Sequence, residues 1–528
     1  MISNRYRFTL FSAIHNFLQI PLLAVLSISL VFLPSPLQSQ VQLQSQPSPQ
    51  AAPQSETIEI DAKALGHPFP HFWERMFGSG RAILSLRESY RSDLRQVRQA
   101  TGFEYIRFHA IFHDEVGLYD EDATGSPIYN FSYVDQIYDG LLQNGVRPYV
   151  ELSFMPSKLA AQQLQQSFWY HPVVSPPKDQ AKWAALITAF AQHLIDRYGI
   201  DEVSQWYFEV WNEPNLDFWA GDPKEQTYYT LYDTTARALK AVSPRLRVGG
   251  PSTAQAAWVD RFIRHCVENR IPLDFVSTHV YGNDLAKDIF GTDENIPRTA
   301  MVCRAAAKVH DQVKASARPD LPILWSEYNA SYKNEPDVTD AVFMGAWLAD
   351  TIRQCDGLTD MMSYWTFSDV FEEQGVVKQP IYGGYGIIAE DGLPKPAFNA
   401  FRLLHDLGDQ RIAVDSKSVL VTRKQNGNLV IATWNLFLPE ERGEPKQVTL
   451  NLKGIKGNAR ILISRLDSRH GSLLDSYDAM GRPPYPTSAQ IEKLRQAATL
   501  PPPEAARLHD GKITVTLPPQ GLALVETR

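Results

Sequence analysis

From residue 72 to residue 407 the chain repeats one alternation: a short continuous apolar run, then a longer stretch with apolar positions three and four apart. The apolar runs lie at 72–78, 105–108, 147–154, 206–211, 246–250, 275–280, 323–329 and 361–367. Helical periodicity follows each, at 90–101, 134–143, 182–198, 228–242, 258–269, 300–314, 341–355 and 398–407. Continuous apolar runs suit strands buried on both faces, and strand–helix alternation implies a parallel sheet with helical crossovers. Eight such units in this length predict an α/β fold, a closed (β/α)8 barrel over residues 67–410.

From residue 411 the texture changes. Short alternating runs at 418–423, 429–435, 447–452, 459–465 and 512–517, with Gly and Asn between them, predict an antiparallel β-sandwich over 411–528. A polar insertion at 467–503 carries one helical stretch, 488–498. Thr57-Ile58-Glu59-Ile60-Asp61 alternates in the same way but lies outside the eight units, so residues 56–66 are assigned to a strand that joins the sandwich. Residues 37–55 are rich in Gln, Ser and Pro and bury too little apolar surface to fold, which predicts a disordered linker. Arg5 and Arg7 precede an apolar run at about 17–33, so residues 1–36 read as a secretory signal or a retained membrane anchor. Either one exports the remainder, to the periplasm, the medium or the outer face of the cytoplasmic membrane.

A net charge of −8 without basic runs argues against nucleic acid as a partner. Cys266, Cys303 and Cys355 lie in helical stretches without metal-ligand spacing, and are expected to be buried thiols rather than a disulfide framework. No metal or cofactor is expected.

The chemistry gathers where strands run out. The fourth run ends in Trp211-Asn212-Glu213-Pro214 and the seventh in Trp325-Ser326-Glu327-Tyr328. Barrels of this type hold their catalytic groups at that rim. Two carboxylates there are what glycoside hydrolysis needs: one acid to protonate the leaving oxygen, one carboxylate to attack or to activate water. Arg107 and His109 share a face after the second run, as do His279 and Tyr281 after the sixth. The eighth ends at Trp365 and continues to Asp369, Glu372 and Glu373.

The set Ile106-Arg107-Phe108-His109, Trp211-Asn212-Glu213-Pro214, Thr278-His279-Val280-Tyr281 and Trp325-Ser326-Glu327-Tyr328 resembles glycoside hydrolase family 39, which holds β-xylosidases and α-L-iduronidases. Tyr364-Trp365-Thr366-Phe367-Ser368-Asp369, Gly383-Gly384-Tyr385-Gly386 and Lys395-Pro396-Ala397-Phe398 extend the resemblance to the end of the barrel. It implies a retaining, exo-acting β-xylosidase on an oligo- or polysaccharide, with Glu213 as acid/base and Glu327 as nucleophile. His109, Asn212, His279, Tyr281 and Trp365 would bind substrate, with His279 also placed to orient Glu213. Arg107 would support Glu327 or neutralise Glu209. One of Asp369, Glu372 and Glu373 would meet a sugar hydroxyl, and the sequence does not choose which. An iduronidase-like enzyme, an endo-acting exopolysaccharide hydrolase and a non-catalytic saccharide binder are the alternatives. A uronide needs cations near its carboxylate; after the sixth run the chain offers Gly282-Asn283-Asp284, and Lys287 and Lys378 lie further away in sequence but could reach in.

Overall fold

Eight parallel strands close into a barrel in the computed structural model, which describes residues 54–528. The basic start, the apolar run and most of the linker lie outside the described residues. The first to eighth barrel strands are Met76–Gly78, Tyr105–Phe108, Arg147–Leu152, Tyr207–Val210, Arg247–Thr253, Phe275–Tyr281, Ile323–Asn329 and Met361–Tyr364. Ser363 opposite Met76 and Tyr364 opposite Phe77 join the last strand to the first.

The outer helices form where the periodicity predicts them. The helix Gln180–Tyr198 shows the physics. Asp179 caps it by accepting from the N–H groups of Ala181 and Lys182, and Gly199 ends it at φ 80, a backbone region that suits glycine. Between them Trp183, Leu186, Ile187, Phe190, Ala191 and Leu194 recur three and four apart and are buried in the main core. Each large one contributes roughly 1.5–3 kcal/mol by leaving water. Phe190→Ala, costing about 3–5 kcal/mol, is the single change most able to loosen this helix. Among the described residues no helix is long and apolar enough to cross a membrane.

Two sheets follow the barrel. One has seven strands, in the order Gly66–Pro68, Gln410–Ile412, Val419–Arg423, Leu429–Trp434, Leu522–Thr527, Arg460–Leu466 and Glu504–Arg507. The other has Gln54–Asp61, Lys446–Lys453 and Lys512–Leu517. Ile58, Ile60, Val421, Ile431, Leu450, Ile461 and Val515 pack together between them. The barrel helix Phe343–Cys355 lies against this unit closely enough that a Cβ on Gly345 would sit 2.7 Å from Leu466.

Four expectations need correction. The first strand begins at Gln54, so Gln54 and Ser55 belong to it and not to the linker, and it pairs parallel, not antiparallel, with Lys446–Lys453. The whole barrel separates the two in sequence, so no hairpin dictates their direction. Residues 67 and 68, assigned to the barrel, continue a sandwich strand. The insertion holds the expected helix Ser488–Ala498 but also a second, Leu474–Ala479. Finally, Cys303 and Cys355 form a disulfide, with Cα atoms 5.1 Å apart, and only Cys266 is a free buried thiol. These two cysteines stand on the helices that follow the sixth and seventh strands, which the closed barrel makes neighbours.

Candidate active site

The fourth barrel strand stops at Val210, and the backbone then turns through left-handed conformations at Trp211 (φ 72) and Glu213 (φ 44). Such strain in non-glycine residues persists only where surrounding bonds hold it, and it collects at functional sites. Here the Glu213 N–H donates to the Ser252 carbonyl at 2.8 Å, and the Trp211 indole N–H donates to the Phe218 carbonyl at 2.7 Å. Trp211 is thereby turned into the core, while Leu216 and Phe218 line the cavity on that side. Across the mouth, the pairing register slips between Thr278 and His279 and again between Trp325 and Tyr328. Bulges of this kind re-aim side chains beside active sites. These deliver Tyr281 and Glu327 to the same point: the Tyr281 hydroxyl donates to Glu327 Oε2 at 2.6 Å.

Beneath them lies Arg107, fully buried and at the centre of the polar network. Its Nη1 donates to Glu327 Oε1 at 2.7 Å, its Nε to Glu209 Oε2 at 2.6 Å and its Nη2 to Asn212 Oδ1 at 2.9 Å. Nη2 is also 2.7 Å from Glu151 Oε2. Arg107 thus bonds Glu327 and Glu209 at once. By engaging the Asn212 carbonyl oxygen, it leaves the amide of Asn212 to face the cavity. His109 Nδ1 bonds Glu151 at 2.7 Å, and its ring lies 4.8 Å from that of Trp365. Trp365 fits only because residue 78 is glycine: a Cβ there would come 2.0 Å from its ring.

The two carboxylates are close. One oxygen of Glu213, one of Glu327 and one nitrogen of His279 all lie within 4.8 Å of one another. Their surroundings differ. Burial, reinforced by the charges of Glu327 and Asp284, pushes the Glu213 carboxyl well above the usual carboxylate range. Burial also raises Glu327, but Arg107, His109 and the Tyr281 hydroxyl offset part of that rise, so it stands less far above the usual range. Glu327 is therefore the first of the pair to ionise, and its charge then holds the proton on Glu213. His279 sits between them, with Nδ1 3.0 Å from Glu213 and Nε2 3.1 Å from Ser326 Oγ. Burial and the nearby Arg107 charge keep this imidazole neutral.

The family model for glycosyl hydrolases family 39 matches residues 56–513. The chain belongs to glycosyl hydrolases family 39. It is 37% identical to a β-xylosidase of Geobacillus stearothermophilus over 459 residues, covering 85% of this chain and 90% of that one. A crystallised monomeric β-xylosidase of Caulobacter crescentus CB15 superimposes with a TM-score of 0.81 at 32% identity, covering 89% of this chain and 99% of the other. An α-L-iduronidase of Mus musculus is 28% identical over 196 residues, 34% of this chain and 29% of its own length.

In this family 39 chain a cavity of about 450 Å³ opens above the pair, and His109, Asn212, Glu213, Tyr281, Glu327 and Trp365 all line it. His279 is corrected: it is fully buried behind Glu213, and does not line the cavity as a substrate-binding residue would. Alternating parity put it on the inward face but carries no information on depth. The three acids after the eighth strand differ in their partners. Asp369 is tied to Lys395 at 2.6 Å and Glu372 to Arg87, whereas Glu373 lines the cavity. Burial, with the charges of Glu327 and Glu213, pushes the Glu373 carboxyl well above its usual range. Nine lining residues were not foreseen in that role, Phe168, Gln255, Tyr332 and Tyr385 among them. Of these four only Tyr385 carried a signal, as the aromatic of Gly383-Gly384-Tyr385-Gly386; its hydroxyl donates to the Tyr332 carbonyl at 2.7 Å.

Proposed function

We propose that this family 39 glycoside hydrolase is a retaining β-xylosidase that works by double displacement. One observation carries the reading: two cavity-lining carboxylates, with oxygens within 4.8 Å, in environments that separate their proton affinities. That spacing suits direct attack on the anomeric carbon, near the roughly 5–5.5 Å of retaining enzymes. It is shorter than the separation of about 6.5–9.5 Å by which inverting enzymes space their carboxyls to hold a water. Glu327, ionised against Arg107 and Tyr281, attacks; Glu213 protonates the leaving oxygen and then serves as base toward water. Asn212 bonds the 2-hydroxyl of the sugar held in the transition state, Trp365 underlies its ring, and His109 and Glu373 meet its other hydroxyls. His279 orients Glu213.

The β-xylosidase relatives support xylose as the sugar. Against a uronide stands the cavity lining, which includes no Lys or Arg among the described residues. Lys378 borders a neighbouring cavity instead, and Arg107 is committed to three carboxylates. The test is hydrolysis of an aryl β-D-xyloside followed by NMR. The first-formed xylose should be the β-anomer. An α-anomer would overturn the retaining mechanism, and absence of phenol release would overturn catalysis.

The chain acts after export. The basic start and apolar run favour this, and so does the Cys303–Cys355 disulfide, since such bonds persist in oxidising compartments. Fractionation should find the protein outside the cytoplasm with these two cysteines refractory to alkylation. A full-length, fully reduced cytoplasmic form is the contrary result.

A further inference from the structure

At the opposite end of the barrel three side chains converge that the reaction does not use. His71 and Glu74 precede the first strand, and His405 follows the last barrel helix, Pro396–Leu404. Both imidazoles turn the same ring nitrogen toward one carboxylate. His71 Nδ1 is 2.7 Å from Glu74 Oε1, and His405 Nδ1 is 2.9 Å from both Glu74 oxygens. One atom from each of the three lies within 4.8 Å of the other two. The Glu74 side chain is 2% exposed, and its ionic partners among the described residues are these two histidines alone, with no Lys or Arg. The His71 ring is stacked on buried Trp73 at 4.4 Å, which fixes its orientation, while His405 reaches solvent.

The geometry points to a binding site for a divalent first-row transition ion of the zinc class, held by His71 Nδ1, His405 Nδ1 and the Glu74 carboxylate. Two imidazoles and one carboxylate form a borderline donor set that favours zinc-like ions over magnesium or calcium, whose shells are built from oxygen. Ligands of a tetrahedral zinc stand about 3.3 Å apart, so each nitrogen needs to withdraw by roughly 0.5 Å, within reach of partly exposed rings. Water would complete the shell from the solvent side. The ion would join the segment entering the barrel to the segment leaving it, on the face where barrel residues serve stability. Its role is a clip on the fold, apart from catalysis.

Cobalt(II) tests this, because its visible absorption reports nitrogen and carboxylate coordination in a folded protein. Catalytic-site uptake is a second possibility, since Glu213, His279 and Glu327 also converge. The full chain should take up one equivalent of Co²⁺ with visible bands. The bands should survive Glu213→Gln and disappear in both His71→Ala and His405→Ala. Zn²⁺ should compete for the site and raise Tm by a few degrees in the unaltered protein and not in His405→Ala, whose hydrolysis of an aryl β-xyloside should be unchanged. Absent bands, bands that persist in either histidine variant, or bands that vanish in Glu213→Gln would overturn the site.

Discussion

Two layers of the barrel interior, two residues apart on the same strands, have opposite character. At the floor Tyr105, Tyr149 and Tyr207 point inward and pack with Met76, Phe275, Leu324 and Met361. One step up, on the same face, those three strands present Arg107, Glu151 and Glu209 instead. The floor is held by apolar contact. The upper layer buries one guanidinium among three carboxylates, and the Tyr149 hydroxyl, donating to Glu209 at 3.1 Å, is the seam between them. Burial alone would push Glu151 up, but Arg107 and His109 more than offset it and keep it low. Such clusters seldom raise stability over apolar packing. What this one does is favour the charged form of Glu327 through Arg107 and fix Asn212 at the cavity, so the barrel separates a layer that stabilises from a layer that positions.

The largest effects are expected above the cluster. If the proposed double displacement holds, Glu327→Ala should lower kcat/KM on every xyloside by at least about 10⁴-fold, because no leaving group escapes the need for the nucleophile. Glu213→Ala should cost roughly 10²–10⁴-fold with a poor leaving group such as a sugar alcohol. With an activated aryl leaving group, glycosylation should survive and the covalent intermediate accumulate. Azide, which needs no base, should then restore turnover and yield the β-glycosyl azide. Rescue of Glu327→Ala with the retained β-azide, and of Glu213→Ala with the inverted α-azide, would exchange the two roles.

Between the layers, removing the cation should be worse than removing packing. Arg107→Met leaves three buried carboxylates uncompensated and should cost about 3–5 kcal/mol in urea unfolding, with loss of activity. Met361→Ala at the floor should cost about 2–5 kcal/mol while leaving kcat and KM of the folded enzyme unchanged. Equal kinetic damage from both would erase the division between the layers.

Much of this was legible because its signals are local. Strands buried on both faces announce themselves as unbroken apolar runs, so all eight barrel strands and the carboxylates at the ends of the fourth and seventh could be read from the chain. The central sandwich strand Leu522–Thr527 was missed for the converse reason: it is apolar nearly throughout and lacks the alternation used to find its neighbours. The Cys303–Cys355 bond and the choice of Glu373 over Asp369 and Glu372 depend on partners distant in sequence. Lys395 and Arg87 claim the other two acids, and no spacing rule announces that. The depth of His279 depends on the bulges between the sixth, seventh and eighth strands, which have no sequence signature.

The smallest predicted effect concerns Asp284, which lines the cavity and accepts the Tyr281 N–H at 2.7 Å. Burial pushes its carboxyl up to about 7, and its charge is one of the causes that raise Glu213. The sign follows from what each proton does. Above pH 7 Asp284 is ionised, and its repulsion helps Glu213 keep the proton that the leaving group needs. Asp284→Asn removes that repulsion, so Glu213 should lose its proton at lower pH. The basic limb of kcat/KM on an aryl β-xyloside should then move down by about 0.5–1 unit, the size expected of one charge acting across a partly solvated cavity. The acid limb, set by protonation of Glu327 against Arg107 and Tyr281, should stay in place. A basic limb that does not move would mean that cavity water screens Asp284 from Glu213. The raised proton affinity of Glu213 would then rest on burial and Glu327 alone.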